Sequence, residues 1–326
     1  MRLAETFPVS TQALYSVMST VHYFDIFKHP LREVELQDLV HIHALTDIEF
    51  GATLSFLVRN NFLFEKDGYY LPHNSYENID RRIKGFELSE KLWSKALRKS
   101  KLISRFPFTR CVLISGSLSK GYMDAKSDID YLIITKPGRL WLARTLLVLY
   151  KKIFLLNSHK FFCVNYFLDQ NNLILTDKNL FTATELMFAK PVYNIEMYLK
   201  FLEANPWTRE YYPAMQIAPV STTDLSTKTS WIKKISEALL NGKFGDYLDQ
   251  KCMKISDKFW KRKFKQMNHE QFIRDMKTDK GVSKHHPNGF RDKILHDHQQ
   301  RMEAFTKKLH LYRETILPVS QHVYES

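Results

Sequence analysis

The sequence predicts an α+β protein, with a small mixed sheet flanked along the chain by helical regions. Three observations carry that expectation. Apolar residues recur at helical spacing from residue 10 to residue 60. Strand-like apolar runs then alternate with helical ones from residue 109 to residue 190. From about residue 195 helical periodicity dominates. A hydrophobic content of 44% and an aromatic content of 13% support packed cores and exclude a disordered chain. The 326 residues are enough for two or three domains.

The first region reads as three helices and a hairpin. "STQALYSVMSTVHYFDIF" places a helix after Ser10, a hydroxyl suited to an N-cap. "LREVELQDLVHIH" reads as a shorter second helix, and "TDIEFGATLSFLVRNN" as a third with Thr46 or Asp47 as its cap. In "FLFEKDGYYLP", Asp67-Gly68 lies between two apolar runs, a strong hairpin signal. Three helices followed by a hairpin describe a winged helix over residues 1–78. A linking helix fills 79–107 and is stopped by Pro107.

Residues 108–194 carry the expected sheet. "RCVLISGS" is an apolar strand ending in Gly-Ser, and "SDIDYLIIT" is a second strand closed by Pro137-Gly138. "RLWLARTLLVLYKKIFLL" is a helix, interrupted by Arg144, Lys151 and Lys152, too short and too charged to span a bilayer. "KFFCVNYFLDQ" is a third strand with Asn171-Asn172 as its turn, and "NLFTATELMFAK" is a helix stopped before Pro191. Residues 195–326 form the helical C-terminal part, in which "KTDKGVSKHHPNGF" reads as a loop.

Charge and cysteine content bound the function. The net charge is +13, and residues 228–326 alone hold 21 Lys/Arg against 12 Asp/Glu. That balance favours acidic partners such as nucleic acid, nucleotides or anionic lipid, or it is a solvated helical surface. Cys111, Cys163 and Cys252 are too few and too scattered for a disulfide framework or a zinc site; Cys111 and Cys163 read as core. His285, His286, His296 and His298 match no metal-ligand spacing. The N-terminal stretch does not read as a secretory signal, and a cytoplasmic location is expected.

The chemistry concentrates in "GSLSKGYMDAKSDIDYLII". Alternation along a strand sends Asp128 and Asp130 to one side, with Ile129 and Tyr131 to the other. Two adjacent carboxylates repel, and one is forced to hold a proton unless a cation neutralises them. Mg²⁺ takes one or two carboxylates together with substrate phosphates, which suits such a pair. Gly116 allows a ligand close to the backbone, and Ser117 offers a hydroxyl donor. Lys120 either adds positive charge there or is a surface lysine.

This stretch resembles the signature of the polymerase-β-like nucleotidyltransferase superfamily: an apolar residue, Gly, Gly or Ser, about ten residues, then Asp, an apolar residue and Asp or Glu. The resemblance covers residues 111–135 strongly, and the following helix and strand fit the order of that fold. It implies transfer of a nucleoside monophosphate from a nucleoside triphosphate, with Mg²⁺ or Mn²⁺ held by Asp128 and Asp130 and phosphates held by Gly116 and Ser117. The family usually adds a third carboxylate on the next strand. Here Asn165 stands near that place, Asp169 shares its face by parity, and Glu185 on the next helix is a further candidate. The acceptor is left open between a small molecule, a protein and an RNA end.

Other readings stand beside it. The first is a nucleotide-binding regulator, weak or inactive in catalysis, that acts through the winged helix. Its third helix is poor in base-reading side chains, with Arg59 alone near its end. "KFWKRKFKQM" fits either a single-stranded nucleic-acid surface or an amphipathic helix burying Phe259, Trp260 and Phe264. A scaffold within a larger complex is the third reading.

Overall fold

In the computed structural model the described residues are 9–215, 230–285 and 289–322. They form a mixed α+β protein, divided into two compact units. The first unit takes the described residues of Met1–Arg82, Arg209–Gln216 and Arg291–Ser326. The second takes those of Ile83–Thr208 and Ile217–Phe290.

The first unit opens with α1 (Thr11–Ile26), capped where expected: the Ser10 side chain accepts from the Ala13 N–H. Then come β1 (Leu31–Arg32), α2 (Glu33–Asp38) and α3 (Asp47–Arg59). Thr46 caps α3 in a reciprocal box with Glu49. Strands β2 (Phe64–Lys66) and β3 (Tyr69–Leu71) make the hairpin, with β1 on the free side of β3. Asp67 and Gly68 have φ of 54° and 76°, the positive pair that a two-residue turn of matching twist demands. Leu14, Val17, Leu36 and Leu57 are fully buried and fill the space between the helices.

That core also holds imidazoles. The His41 Nδ1 lies 3.2 Å from the Ser19 hydroxyl, and the His298 Nε2 lies 3.0 Å from the Ser19 carbonyl oxygen. Burial lowers the basicity of His22, His41 and His298 alike, bringing His22 down to about 3, and nearby Arg301 lowers His22 and His298 further.

Helix α4 (Glu77–Ser104) carries the chain into the second unit. There β4 (Thr109–Ser115), α5 (Gly116–Ser119), β5 (Asp130–Thr135), α6 (Leu140–Phe154) and β6 (Cys163–Asp169) follow one another. Next are α7 (Leu180–Met187), β7 (Lys190–Tyr193), α8 (Ile195–Glu203) and α9 (Thr208–Tyr211), the last ending in the first unit. Helices α10 (Trp231–Leu239), α11 (Lys243–Lys263) and α12 (His269–Asp275) precede β8 (Thr278–Asp279) and β9 (Val282–Lys284). Helix α13 (Phe290–His322) returns the chain to the first unit.

The sheet of the second unit runs β7-β4-β5-β6-β9-β8, with β5 and β6 parallel and the other pairs antiparallel. Helix α6 is the crossover between the two parallel strands. Val112, Ile114, Ile129, Tyr131, Ile133, Val164 and Phe167 face one buried cluster with Ala96 of α4 and Trp141 and Leu147 of α6. From α11 the Asp249 carboxylate accepts from the Leu142 N–H and so caps α6, which has no side-chain cap of its own.

Three strands correct the sequence reading. The segment expected as a loop contains β8 and β9, joined by Lys280-Gly281, with β9 paired to β6 and β8 to β9. It is too short and too rich in lysine to show strand periodicity. Strand β7 contains Pro191, which read as a stop. It lies at the sheet edge, where a residue without an N–H is tolerated.

The buried imidazoles set a pH response in the first unit. Below 6.5 an unfolded histidine takes up a proton that the folded His22 refuses until about 3, so stability falls as the pH drops through that window. Replacing His22 with Gln is expected to shrink the loss of stability between about pH 7 and about pH 5, read from urea midpoints. An unchanged loss would contradict a neutral buried ring.

Candidate functional site

The site is built where β4 ends and β5 begins. Ser115 pairs with Asp130 across these strands, so the turn that leaves β4 starts beside the first residue of β5. Gly116 takes a φ of +66° to enter α5. A β-carbon added to Gly116 would collide with the Asp130 Oδ2. Glycine is therefore required twice over, by the backbone angle and by the carboxylate packed against it. The spacer to β5 folds back through a second glycine, Gly121, at +68°. Its Asp124 carboxylate accepts from the Lys126 N–H and the Ser127 hydroxyl, fixing the bend before Asp128.

Asp130 is half-buried at the strand end. Burial drives its carboxyl up to about 6. The charges of Glu185 and Asp128 push the same way, against a hydrogen bond from the Cys163 thiol and the charge of Lys120. Cys163 sits opposite Asp130 in the parallel β5–β6 register, and burial raises its own basicity further. A thiol that donates to a carboxylate is a more specific role than the apolar core position its sequence context suggests.

Asn165 also reaches this place. The β5–β6 register skips it: Tyr131 pairs with Val164 and Leu132 with Tyr166. Asn165 is thus a bulge, and its amide donates to the Cys163 sulfur. Its backbone carbonyl accepts from the backbone N–H of His285, which follows β9.

The same bulge moves Asp169 away. Simple alternation places Asp169 on the face of Asn165, but the extra residue reverses the parity beyond it. Asp169 pairs with Thr135 at the far end of β5, five residues from Asp130, or about 16 Å of strand. It is buried, and it accepts from the Asn171 N–H at 3.0 Å and the Asn172 amide at 2.7 Å. It organises the turn that leaves the strand.

Lys120 and Glu185 form an ion pair of 2.7 Å between the end of α5 and α7, and the lysine also donates to the Gly116 carbonyl at 3.2 Å. Lys120 is therefore tied to the glycine turn and is not a free surface lysine. Glu185 is a third carboxylate within electrostatic reach of Asp130. The Ser117 side chain is half-buried on the same turn.

The donor set bears on a metal. Among the described residues no group of three His, Cys, Asp or Glu side chains is arranged to hold a metal ion. His286 lies outside the described residues; His285 is buried beside Arg144, whereas His296 and His298 belong to the first unit. Asp128 and Asp130 remain as two hard oxygen donors within electrostatic reach of each other near the Gly116 turn. That fits a cation which completes its shell with phosphate and water, and it does not fit a preformed protein cage.

Of the other predicted surfaces, the tail stretch departs from the expectation, whereas α3 does not. In "KFWKRKFKQM", Phe259 is 53% exposed, whereas Trp260 packs over His285 with ring centres 4.5 Å apart. Neighbouring positions on a helix point about 100° apart, so both rings cannot enter one core. On α3 the exposed residues include Asp47, Glu49, Ala52, Ser55 and Arg59, a face without a basic stripe. Among the described residues no helix is long and apolar enough to cross a membrane.

Sequence reasoning passed over Arg144 and Lys151 as interruptions of an apolar helix. Both are buried, at 6% and 5% exposure. Their spacing of seven, which returns to the same helix face, was the available signal. No family model, curated protein or solved structure matches this chain, and the site is interpreted on its own geometry.

The raised basicity of Asp130 has a measurable consequence. Between 3.8 and about 6 the folded chain keeps a proton that the unfolded chain releases, so this group's contribution to stability declines as the pH rises through that window. Asp130→Asn is expected to gain stability relative to the parent at about pH 7.5 but not at about pH 3.5. An Asp130 carboxyl resonance with its midpoint near the ordinary aspartate value would contradict the burial and charge crowding described.

Proposed function

We propose that the chain is a metal-dependent nucleotidyltransferase, moving a nucleoside monophosphate from a nucleoside triphosphate to an acceptor. One observation carries this reading: the Asp130 carboxylate is pressed against a glycine turn that has no room for a side chain. Crowding of Asp128, Asp130 and Glu185 is unfavourable, and a cation joining Asp128 and Asp130 would relieve it. Three helices with a hairpin in the first unit are, in the same reading, a winged helix, and the second unit is the nucleotidyltransferase domain.

The chain's own groups then have distinct tasks. Asp128 and Asp130 would hold Mg²⁺ or Mn²⁺. The bound ion supplies charge neutralisation at the triphosphate. The Cys163 hydrogen bond fixes the Asp130 carboxylate and, through Cys163, Asn165 limits the thiol's freedom. Gly116 lets the turn pack against Asp130, and the half-buried Ser117 hydroxyl would donate a hydrogen bond to a phosphate oxygen. Lys120 holds the turn and balances Glu185. Asn165 cannot take a proton from an acceptor hydroxyl, whereas Glu185 has a carboxylate that can. A cytoplasmic location suits a reaction that draws on nucleoside triphosphates.

A second reading is a nucleotide-binding regulator with little or no catalysis. It is favoured by Asn165 in place of a strand carboxylate and by the commitment of Glu185 to Lys120. The acidic and small exposed residues of α3 give it no recognition surface for duplex DNA.

Labelled triphosphates, Mg²⁺ or Mn²⁺ and a cell extract separate the readings. The enzyme transfers label to an extract component, and Asp128→Ala or Asp130→Ala lowers that transfer at least about a hundredfold with the circular dichroism spectrum unchanged. Full turnover in either folded variant would overturn the proposal. Nucleotide binding without transfer would favour the regulator.

A further inference from the structure

Two buried cations on α6 lack acidic partners. Arg144 and Lys151 have no carboxylate within ion-pair distance among the described residues. Instead the Arg144 Nη2 lies 2.9 Å from the His285 Nδ1, and the Lys151 Nζ lies 3.2 and 3.4 Å from the two ring nitrogens of His159. The Arg144 Nε is buried with no hydrogen-bond partner among the described residues. Arg144 is further packed against Trp141 and Trp260, at 5.5 and 6.0 Å from the ring centres.

Other buried cations of this unit are compensated differently. Arg139 pairs with Asp246, and Lys233 donates to two backbone carbonyls, those of Ser104 and Thr109. An imidazole contributes no negative charge, so Arg144 and Lys151 remain as concentrated positive charge in a poorly solvated place. Burial makes both side chains easier to deprotonate, and Lys151 is further disfavoured by the charge of Arg144. Such an arrangement is stabilised by an anion.

The location indicates which anion. Lys151 and His159 both lie within electrostatic reach of Asp128, and His159 lies within reach of Lys263 on α11. Positive charge therefore begins within electrostatic reach of Asp128 and continues along α6 to Arg144. We infer that Lys151 and His159, backed by Arg144, form a subsite for a polyphosphate chain, taking the distal phosphates of a nucleotide whose metal-binding end lies at Asp128 and Asp130. The identity of that nucleotide rests on the proposed function; the anion subsite itself does not need it. Lys151 and His159 supply donors to phosphate oxygens, and Arg144 adds charge from behind.

Inorganic pyrophosphate, titrated calorimetrically into the full chain without divalent metal, tests this directly. The parent is expected to bind it, and His159→Ala and Lys151→Met to weaken binding by about tenfold or more, as loss of a charge-assisted hydrogen bond would. Asp128→Asn is expected to bind as tightly as the parent or tighter, since it removes a nearby negative charge. His159 is exposed, so its replacement leaves packing intact and keeps the test decisive even if Lys151→Met fails to fold. Failure of the parent to bind pyrophosphate, or parent-like binding by a folded His159→Ala, would overturn the subsite. Pyrophosphate binding that follows this pattern in a chain whose Asp128→Ala variant still transfers label would uphold the subsite and sink the nucleotidyltransferase reading.

Discussion

A carboxylate packed against a side-chain-free turn sets the terms for the second unit. Asp130 is drawn into that position by strand register, not by a favourable charge environment. Its own pairing with Ser115 places it beside Gly116, and its neighbours Asp128 and Glu185 oppose its ionisation. A fold that only needed a strand end there could use a neutral residue at lower cost. The persistence of like charges in a confined place is the sort of local conflict that function explains better than stability does.

The remainder of the unit holds this conflict in place. The apolar residues Ile129, Tyr131 and Ile133 anchor β5 to the core, while its first residue stays at the sheet end. The parallel partner β6 brings Cys163 opposite Asp130, and the bulge at Asn165 turns a second polar side chain onto the thiol. The crossover helix α6 then runs back over the sheet with two cations on one face. Positive and negative charge thus meet at the same end of the sheet from different elements. Compensation is partial among the described residues: Lys120 pairs with Glu185, whereas Asp128 and Asp130 crowd one another and the two cations face imidazoles.

Much of this was legible in the residues. Ser10 and Thr46 announced helix starts because a capping hydroxyl is a local device, decided within four residues. Asp67-Gly68 announced a hairpin for the same reason. The Gly-Ser turn was readable because glycine freedom is also local, whereas Asp128 lies before β5, so strand alternation does not place it. What the sequence concealed was long-range. Pro191 argued against a strand until an edge position was available to it. The parity of Asp169 could not be judged without knowing that β6 slips by one residue at Asn165. Cys163 looked like a core thiol because its partner, Asp130, is 33 positions away. Arg144 and Lys151 read only as interruptions of an apolar run because their burial depends on packing around α6.

The central claim is that Asp128 and Asp130 are held together as ligands for one divalent ion shared with a triphosphate. Its most direct test is a crystal soaked with Mn²⁺ and a non-hydrolysable nucleoside triphosphate, with the metal located by anomalous scattering. The account predicts a peak on the order of 2.1 Å from carboxylate oxygens of both Asp128 and Asp130 and from a phosphate oxygen. A peak bound elsewhere, or a nucleotide seated with neither carboxylate touching metal, would contradict it.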